Sequence, residues 1–264
     1  MIKRLTEIDI TQVESLLNHQ PIENLFILGC LEASRYQQKP LTGWGDFDQN
    51  GELHAVLWQS NTRFIPFAVE DFDAKGVAHI INTDSNSSML FGLRSIVTKI
   101  APFLNQLTNR SDDLYFAISS EHQRPIINKE DHVCKLTPSD LNLLERLLDQ
   151  IPEFQRSTAR IDKKREDLKT GISRGYYLKE KGQMVTTAST TLENADSAML
   201  SGVATHPDFT GRGLASTCVS KLTEDILLEG KSLYLFYDNL IAGKLYKKLG
   251  FLHVGDWVMY QSIN

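Results

Sequence analysis

The sequence predicts an α/β protein of two domains with related folds, each a mixed β-sheet flanked by helices. Three observations lead there. Strand and helix patterns interleave through the carboxyl half, with a hairpin early and strand–helix crossovers late. The run RLTEIDITQVESLL (residues 4–17) recurs without gaps as KLTPSDLNLLERLL (residues 135–148). The offset of 131 between them is almost half of the 264 residues, which favours two copies of one fold over two chance helices. The expected domains are residues 1–131 and 132–264.

Within the repeat, Leu5, Thr6, Asp9, Glu14, Leu16 and Leu17 return as Leu136, Thr137, Asp140, Glu145, Leu147 and Leu148. Each copy reads as a short strand, a Thr-led cap with an acidic first turn, and an amphipathic helix with apolar residues at three- and four-residue spacing. In the first half the pattern continues as a helix at 24–34 and strands at 55–58 and 64–69. A strand at 77–82, a TDSNSS loop, a helix at 89–104 and a strand at 113–119 follow. In the second half, residues 157–169 form a helix whose KKRED run reads as a solvated face. Strands at 175–179 and 183–191 flank a Lys181-Gly182 turn. A strand at 198–205, a helix at 214–229 closed by Gly230, a strand at 232–237, a helix at 240–249 closed by Gly250 and a last strand or pair at 252–261 complete the order.

Composition narrows the function classes. A 41% hydrophobic content supplies a core for each domain. Cys30, Cys134 and Cys218 form no CxxC pair, so neither a disulfide framework nor a metal site is indicated, and a reducing, cytoplasmic setting fits. The segment MIKRLTEIDI has no apolar run of a leader, and no stretch reaches the roughly 20 apolar residues that span a bilayer. The net charge is −5; the first 131 residues hold 11 Lys+Arg against 17 Asp+Glu, and the remainder 17 against 16. A polyanion therefore meets a less hostile field in the carboxyl half, but there is no basic nucleic-acid footprint.

Chemistry concentrates in VATHPDFTGRGLA (203–215) and NLIAGKLYKKLGF (239–251). In the first, Thr210-Gly211-Arg212-Gly213 lies between a strand and a helix. Glycines there let the backbone approach a ligand, and the free N–H groups and dipole of the first turn favour an anion such as a pyrophosphate. It is neither a nucleotide P-loop nor a GxGxxG fingerprint. Behind it, Ala215, Val219, Leu222 and Ile226 make an inward stripe with Cys218, which reads as core, while Lys221, Glu224 and Asp225 face water. In the second segment, Asn239, Ala242 and Tyr246 fall along one helix face, with Leu245 and Leu249 available to the core.

The loop and the N-x-x-A-x-x-x-Y-x-x-x-G-F helix together resemble the GNAT superfamily of acyl-CoA-dependent N-acetyltransferases. Gly213 and Ala215 match the loop, and Asn239, Ala242, Tyr246, Gly250 and Phe251 match the helix. The likeness spans residues 135–264. It implies two GNAT-like domains, each a mixed, mostly antiparallel sheet flanked by helices. Only the second keeps the motifs, as in tandem-GNAT proteins with one degenerate copy that helps form the acceptor cleft. It further implies acetyl-CoA as co-substrate, held by Val203, Ala204, Thr205, Gly211, Arg212, Gly213, Leu214, Ala215, Ser216, Asn239 and Ala242. Tyr246 is the implied acid for the departing thiolate. Thr210 stands where the family has Gln or Arg, which puts cofactor affinity in question. The family's carboxylate near the fourth strand is also absent; Glu193, Asp196, His206 or a water relay remain open as the base. The implied activity is direct acetyl transfer to a primary amine of a small molecule, in a monomer or homodimer. A protein or peptide N-acetyltransferase and a non-catalytic acyl-CoA-binding module are the alternatives.

Overall fold

The computed structural model describes residues 1–36, 41–111, 113–119, 133–154 and 159–262, with 33–36 and 159–160 described by their backbone alone. The chain forms two compact units, Met1–Phe116 with Val254–Asn264, and Ala117–His253.

The first unit runs β1 (Ile2–Arg4), a 3-10 turn, α1 (Ile10–Leu17), α2 (Leu25–Tyr36), β2 (Gly43–Phe47), β3 (Leu53–Ser60), β4 (Arg63–Ala68), α3 (Ala74–Thr83), β5 (Met89–Leu93), α4 (Arg94–Ile100) and β6 (Leu107–Arg110). The strand β7 (Leu114–Ser119) carries the chain into the second unit. There follow β8 (Cys134–Lys135), a 3-10 turn, α5 (Leu141–Leu148), α6 (Ala159–Thr170), β9 (Gly175–Glu180), β10 (Gln183–Thr191), β11 (Ser197–Thr205), α7 (Leu214–Leu228), β12 (Ser232–Tyr237), α8 (Leu240–Lys248) and β13 (Leu252–Ser262). Strand order in the first unit is β1-β2-β3-β4-β5-β13, antiparallel except for the β4–β5 pair. In the second it is β8-β9-β10-β11-β12, antiparallel except for β11–β12.

The two units thus repeat one another element by element, and the repeat reaches individual bonds. The Thr6 backbone N–H and hydroxyl both donate to Asp9 Oδ2, at 2.9 and 2.8 Å, and those of Thr137 to Asp140 Oδ2, at 3.0 and 2.6 Å. Leu5 N–H donates to the Gly43 carbonyl at 2.9 Å, and Leu136 N–H to that of Gly175 at 2.8 Å. Val13, Leu16 and Leu17 are buried in one helix, as Leu144, Leu147 and Leu148 are in the other.

Asp140 ties this cap to the sheet, since its Oδ1 accepts the hydroxyl of buried Tyr177 at 2.9 Å. Burial alone would raise the carboxyl pKa, but the bonds from Thr137 and Tyr177 outweigh it and hold it below the ordinary value. Asp140→Ala removes the cap and strands a phenol, for an expected loss of about 2–3 kcal/mol in urea unfolding at pH 7. Because the folded pKa is depressed, the wild-type contribution is present above the ordinary carboxylate range and lost as pH falls through the folded value. The difference between variant and wild type should therefore shrink below pH 4.

Two sequence expectations change. Residues 77–82 are helical, within α3: Asp73 accepts the Gly76 N–H at 2.8 Å as its cap, and Val77, Ala78 and Ile81 form one buried helical face. The helix expected over 89–104 is instead β5, whose burial alternates, followed by the short α4. The expected boundary at 131/132 lies outside the described residues; from Val254 on, the chain is grouped with the first unit, where β13 pairs antiparallel with β5 (Trp257 opposite Leu93, Tyr260 opposite Leu90). The helix expected from 157 begins at Ala159; residues 157 and 158 lie outside the described set.

Helices cover both faces of the second sheet. Met184 and Val185, neighbours on β10, enter different cores, as strand alternation requires. Val185 meets α7 through Val219, Leu222 and Ile226; Met184 meets α5 through Leu141 and Leu144.

Candidate functional site

The parallel strands β11 and β12 pair only through Ser197–Met199 against Ser232–Tyr234. Beyond Met199 the last residues of β11 are paired on their β10 side alone, Ala204 with Thr187 and Thr205 with Thr186. The two strands therefore part at their carboxyl ends. Parallel strands send their following helices off from one edge, so the N termini of α7 and α8 start beside this opening. Val203, Ala204, Thr205, Gly211 to Ser216, Asn239 and Ala242 are all gathered at that edge.

A feature that the sequence reading passed over sits on β11. Three β11 steps, Ser201 to Ala204, face two β10 steps, Ser189 to Thr187, so β11 carries a bulge. Gly202 supplies it at φ +59° and is exposed. A glycine inside a strand pattern was the available signal, since bulges turn backbone groups out of the ladder and recur beside active sites.

Gly211 and Gly213 have φ of +75° and +80°, and a Cβ on either would meet nothing within 4 Å. Gly213 is the N-cap of α7, and no side chain caps that end. The first-turn N–H groups of Leu214, Ala215 and Ser216 thus face an open, glycine-walled approach. Thr210 turns its hydroxyl back to the Pro207 carbonyl at 3.1 Å. The Arg212 guanidinium lies over Phe209, 4.7 Å from the ring centroid, donates to the Asp208 carbonyl at 3.3 Å and pairs with Glu180 at 3.6 Å.

Asn239 caps α8, its Oδ1 accepting from Ile241 N–H at 2.8 Å and Ala242 N–H at 3.4 Å. Tyr246 lies two turns further, buried with Leu200, Leu235 and Phe251. Its ring stands 5.6 Å from that of Tyr237 and 5.8 Å from that of Phe251. Burial pushes the phenol up to about 12, so it stays protonated through the physiological range. Among the described residues its hydroxyl has no hydrogen-bond partner.

The residues open as a base separate. Glu193 and Asp196 sit in the β10–β11 connection, at the far end of β11 from the opening. Glu193 is held by Arg174 and by Lys231 at 2.9 Å, and Arg174 reaches on to Glu229. His206 directly follows β11, but its Nδ1 accepts the Asp208 N–H at 3.2 Å. Cys218 is fully buried in the core, and burial pushes its thiol up to about 12, which makes it unreactive.

The equivalent edge of the first unit is built differently. Its β4–α3 connection, residues 69–73, reads VEDFD and has no glycine. It borders a cavity of about 630 Å³ in whose lining five carboxylates, Asp46, Asp48, Glu70, Asp71 and Asp73, outnumber the Met1 ammonium and His54, an unfavourable field for an anion. The helix after β5, α4, begins at Arg94, and its N-cap residue Leu93 offers no side-chain cap.

The chain as a whole shares its mixed α/β fold with solved GNAT acetyltransferase structures. Residues 173–259 match the model of the family described as FR47-like protein, a span that includes every element of this edge. A GNAT-family acetyltransferase from Colwellia psychrerythraea is 13% identical over 100% of both chains, with a TM-score of 0.62. A GCN5-related N-acetyltransferase from Sphaerobacter thermophilus is 12% identical over 99% of this chain and 95% of its own, at 0.64. A tandem GNAT protein from the clavulanic acid biosynthesis pathway is 11% identical over 83% and 82%, at 0.51. No curated protein sequence matches the chain. Among the described residues no helix is long and apolar enough to cross a membrane.

Proposed function

We propose that the chain is a cytoplasmic N-acetyltransferase that moves the acetyl group of acetyl-CoA to a primary amine of a small molecule, with its site in the second unit. The observation that carries this reading is the uncapped, glycine-walled N terminus of α7 beside the opening between β11 and β12. The fit to acetyl-CoA rests on that space: Gly211 and Gly213 leave room where a Cβ would stand, and the free N–H groups of Leu214, Ala215 and Ser216 suit a pyrophosphate. When bound, acetyl-CoA supplies an activated thioester for direct attack by the amine.

The chain's own residues then divide the work. Val203, Ala204 and Thr205 offer the parted edge of β11 to the pantetheine amides, and the bulge at Gly202 turns backbone toward the carbonyl. Asn239 and Ala242 border the arm from α8, and Arg212 flanks the loop. Tyr246 gives its proton to the leaving sulfur, a role suited to a phenol kept neutral by burial. The amine loses its proton to solvent, Glu193 being fixed between two cations. The first unit is a degenerate copy: its acidic, glycine-free β4–α3 connection repels the pyrophosphate that α7 accepts.

A panel of small amines and short peptides with acetyl-CoA, read by release of free thiol, tests the activity. Turnover on a small amine supports the reading, and turnover on peptides alone moves the acceptor class to proteins. Binding of acetyl-CoA with no turnover on any acceptor would reduce the chain to a regulatory acyl-CoA module.

A further inference from the structure

Gly243 stands one residue after Ala242 on α8 and is buried. A Cβ there would lie 2.4 Å from Tyr237 Cε2, 3.1 Å from its Cζ and 3.2 Å from its hydroxyl oxygen. The Tyr237 ring, at the end of β12, is therefore seated directly on the helix backbone. It can lie that low only because position 243 has no side chain. A mid-helix glycine also costs helix propensity relative to alanine, so its presence here has a packing reason. The same Tyr237 ring meets Tyr246 at 5.6 Å and 54°, and Tyr246 meets Phe251 at 5.8 Å and 66° on another side. Two rings thus bracket Tyr246, and the glycine sets how close one of them comes.

We infer that Tyr237 is a positioning residue, seated on Gly243, that fixes the Tyr246 ring for proton delivery. The inference rests on the acid role proposed for Tyr246, and the two can fail separately. Replacing the glycine by alanine drives the Tyr237 ring outward and frees Tyr246 to change rotamer. Removing the Tyr237 ring does the same from the other side.

The test compares Gly243→Ala, Tyr237→Ala, their double variant, Tyr237→Phe and Tyr246→Phe with the wild type. It reads kcat and KM for acetyl-CoA with the amine that gives the fastest thiol release, and the pH titration of Tyr246 by NMR of ring-labelled tyrosine, assigned with Tyr246→Phe. Circular dichroism confirms folding, and Tyr237→Ala, which adds no atoms, covers the case in which Gly243→Ala does not fold. The expected result is a loss in kcat of at least about tenfold in Gly243→Ala and Tyr237→Ala, with KM within about twofold. The Tyr246 titration should also move toward the ordinary tyrosine range in both. The double variant should be no worse than Tyr237→Ala, since the clash has gone. Tyr237→Phe, which keeps the ring, should retain most of the kcat. Wild-type kcat and wild-type Tyr246 titration in both single variants would overturn the positioning role, and the acid role would stand if Tyr246→Phe still lost turnover. Wild-type kcat in Tyr246→Phe would instead overturn the acid role, and with it any service of Tyr237 to catalysis.

Discussion

Gly213→Val is expected to abolish the rise in melting temperature that acetyl-CoA gives the wild type. At φ +80° a β-branched residue is a backbone outlier, and holding it there costs about 1–3 kcal/mol. The chain can relieve that strain only by rotating the peptide that opens α7, which turns the Leu214 and Ala215 N–H groups away from the anion they would bind. The added side chain also enters the space in front of the helix, which a Cβ on Gly213 shares with no atom within 4 Å. For the wild type, ligand at about 100 times its dissociation constant adds about 2.7 kcal/mol to stability, a shift of roughly 5–10 °C for a protein of this size. Differential scanning fluorimetry with and without acetyl-CoA reads the difference. A full shift in Gly213→Val would place the pyrophosphate elsewhere.

The second large effect is on turnover. Tyr246→Phe is expected to lower kcat by about 10²–10⁴-fold, the usual contribution of one positioned proton donor, while KM for acetyl-CoA changes little. The ring stays, so its contacts with Tyr237 and Phe251 stay, and only the hydroxyl is lost. That hydroxyl has no partner among the described residues, so its removal leaves no buried group stranded and stability should hold. The wild-type pH profile carries its own check. With the folded pKa raised to about 12, the acid remains protonated across the alkaline limb, and kcat should show no fall assignable to this group below pH 10. An unchanged kcat in Tyr246→Phe would assign leaving-group protonation to another group or to water.

The second unit was far more legible than the first, for identifiable reasons. Its turns are punctuated: Lys181-Gly182 takes positive φ at both residues, and Gly230 and Gly250 close helices at positive φ. The Asn239 cap stands where the sequence puts it. In the first unit the β4–α3 connection has no glycine or proline, and α3 holds Val77, Ile80 and Ile81, β-branched residues that read as strand until the Asp73 cap is recognised. The seven-residue α4 is too short to show a period. No local signal could tell that β13 pairs with β5, since that register is set by partners more than 150 residues apart in sequence. At the site, residue types and helix starts were readable. Gly202 inside a strand pattern signalled a bulge, whereas the parting of β11 from β12 and the seat of Tyr237 on Gly243 depend on pairing and close approach, which only three dimensions supply.

The central claim is a single acyl-CoA site, in the second of two units that share one fold. Isothermal titration calorimetry of acetyl-CoA into the intact chain tests it most directly. The account predicts one site per chain, with the binding heat lost in Gly213→Val and kept when Asp73, the cap at the equivalent position of the first unit, is changed to Asn. Two equivalent sites per chain, or no heat at millimolar acetyl-CoA, would contradict it.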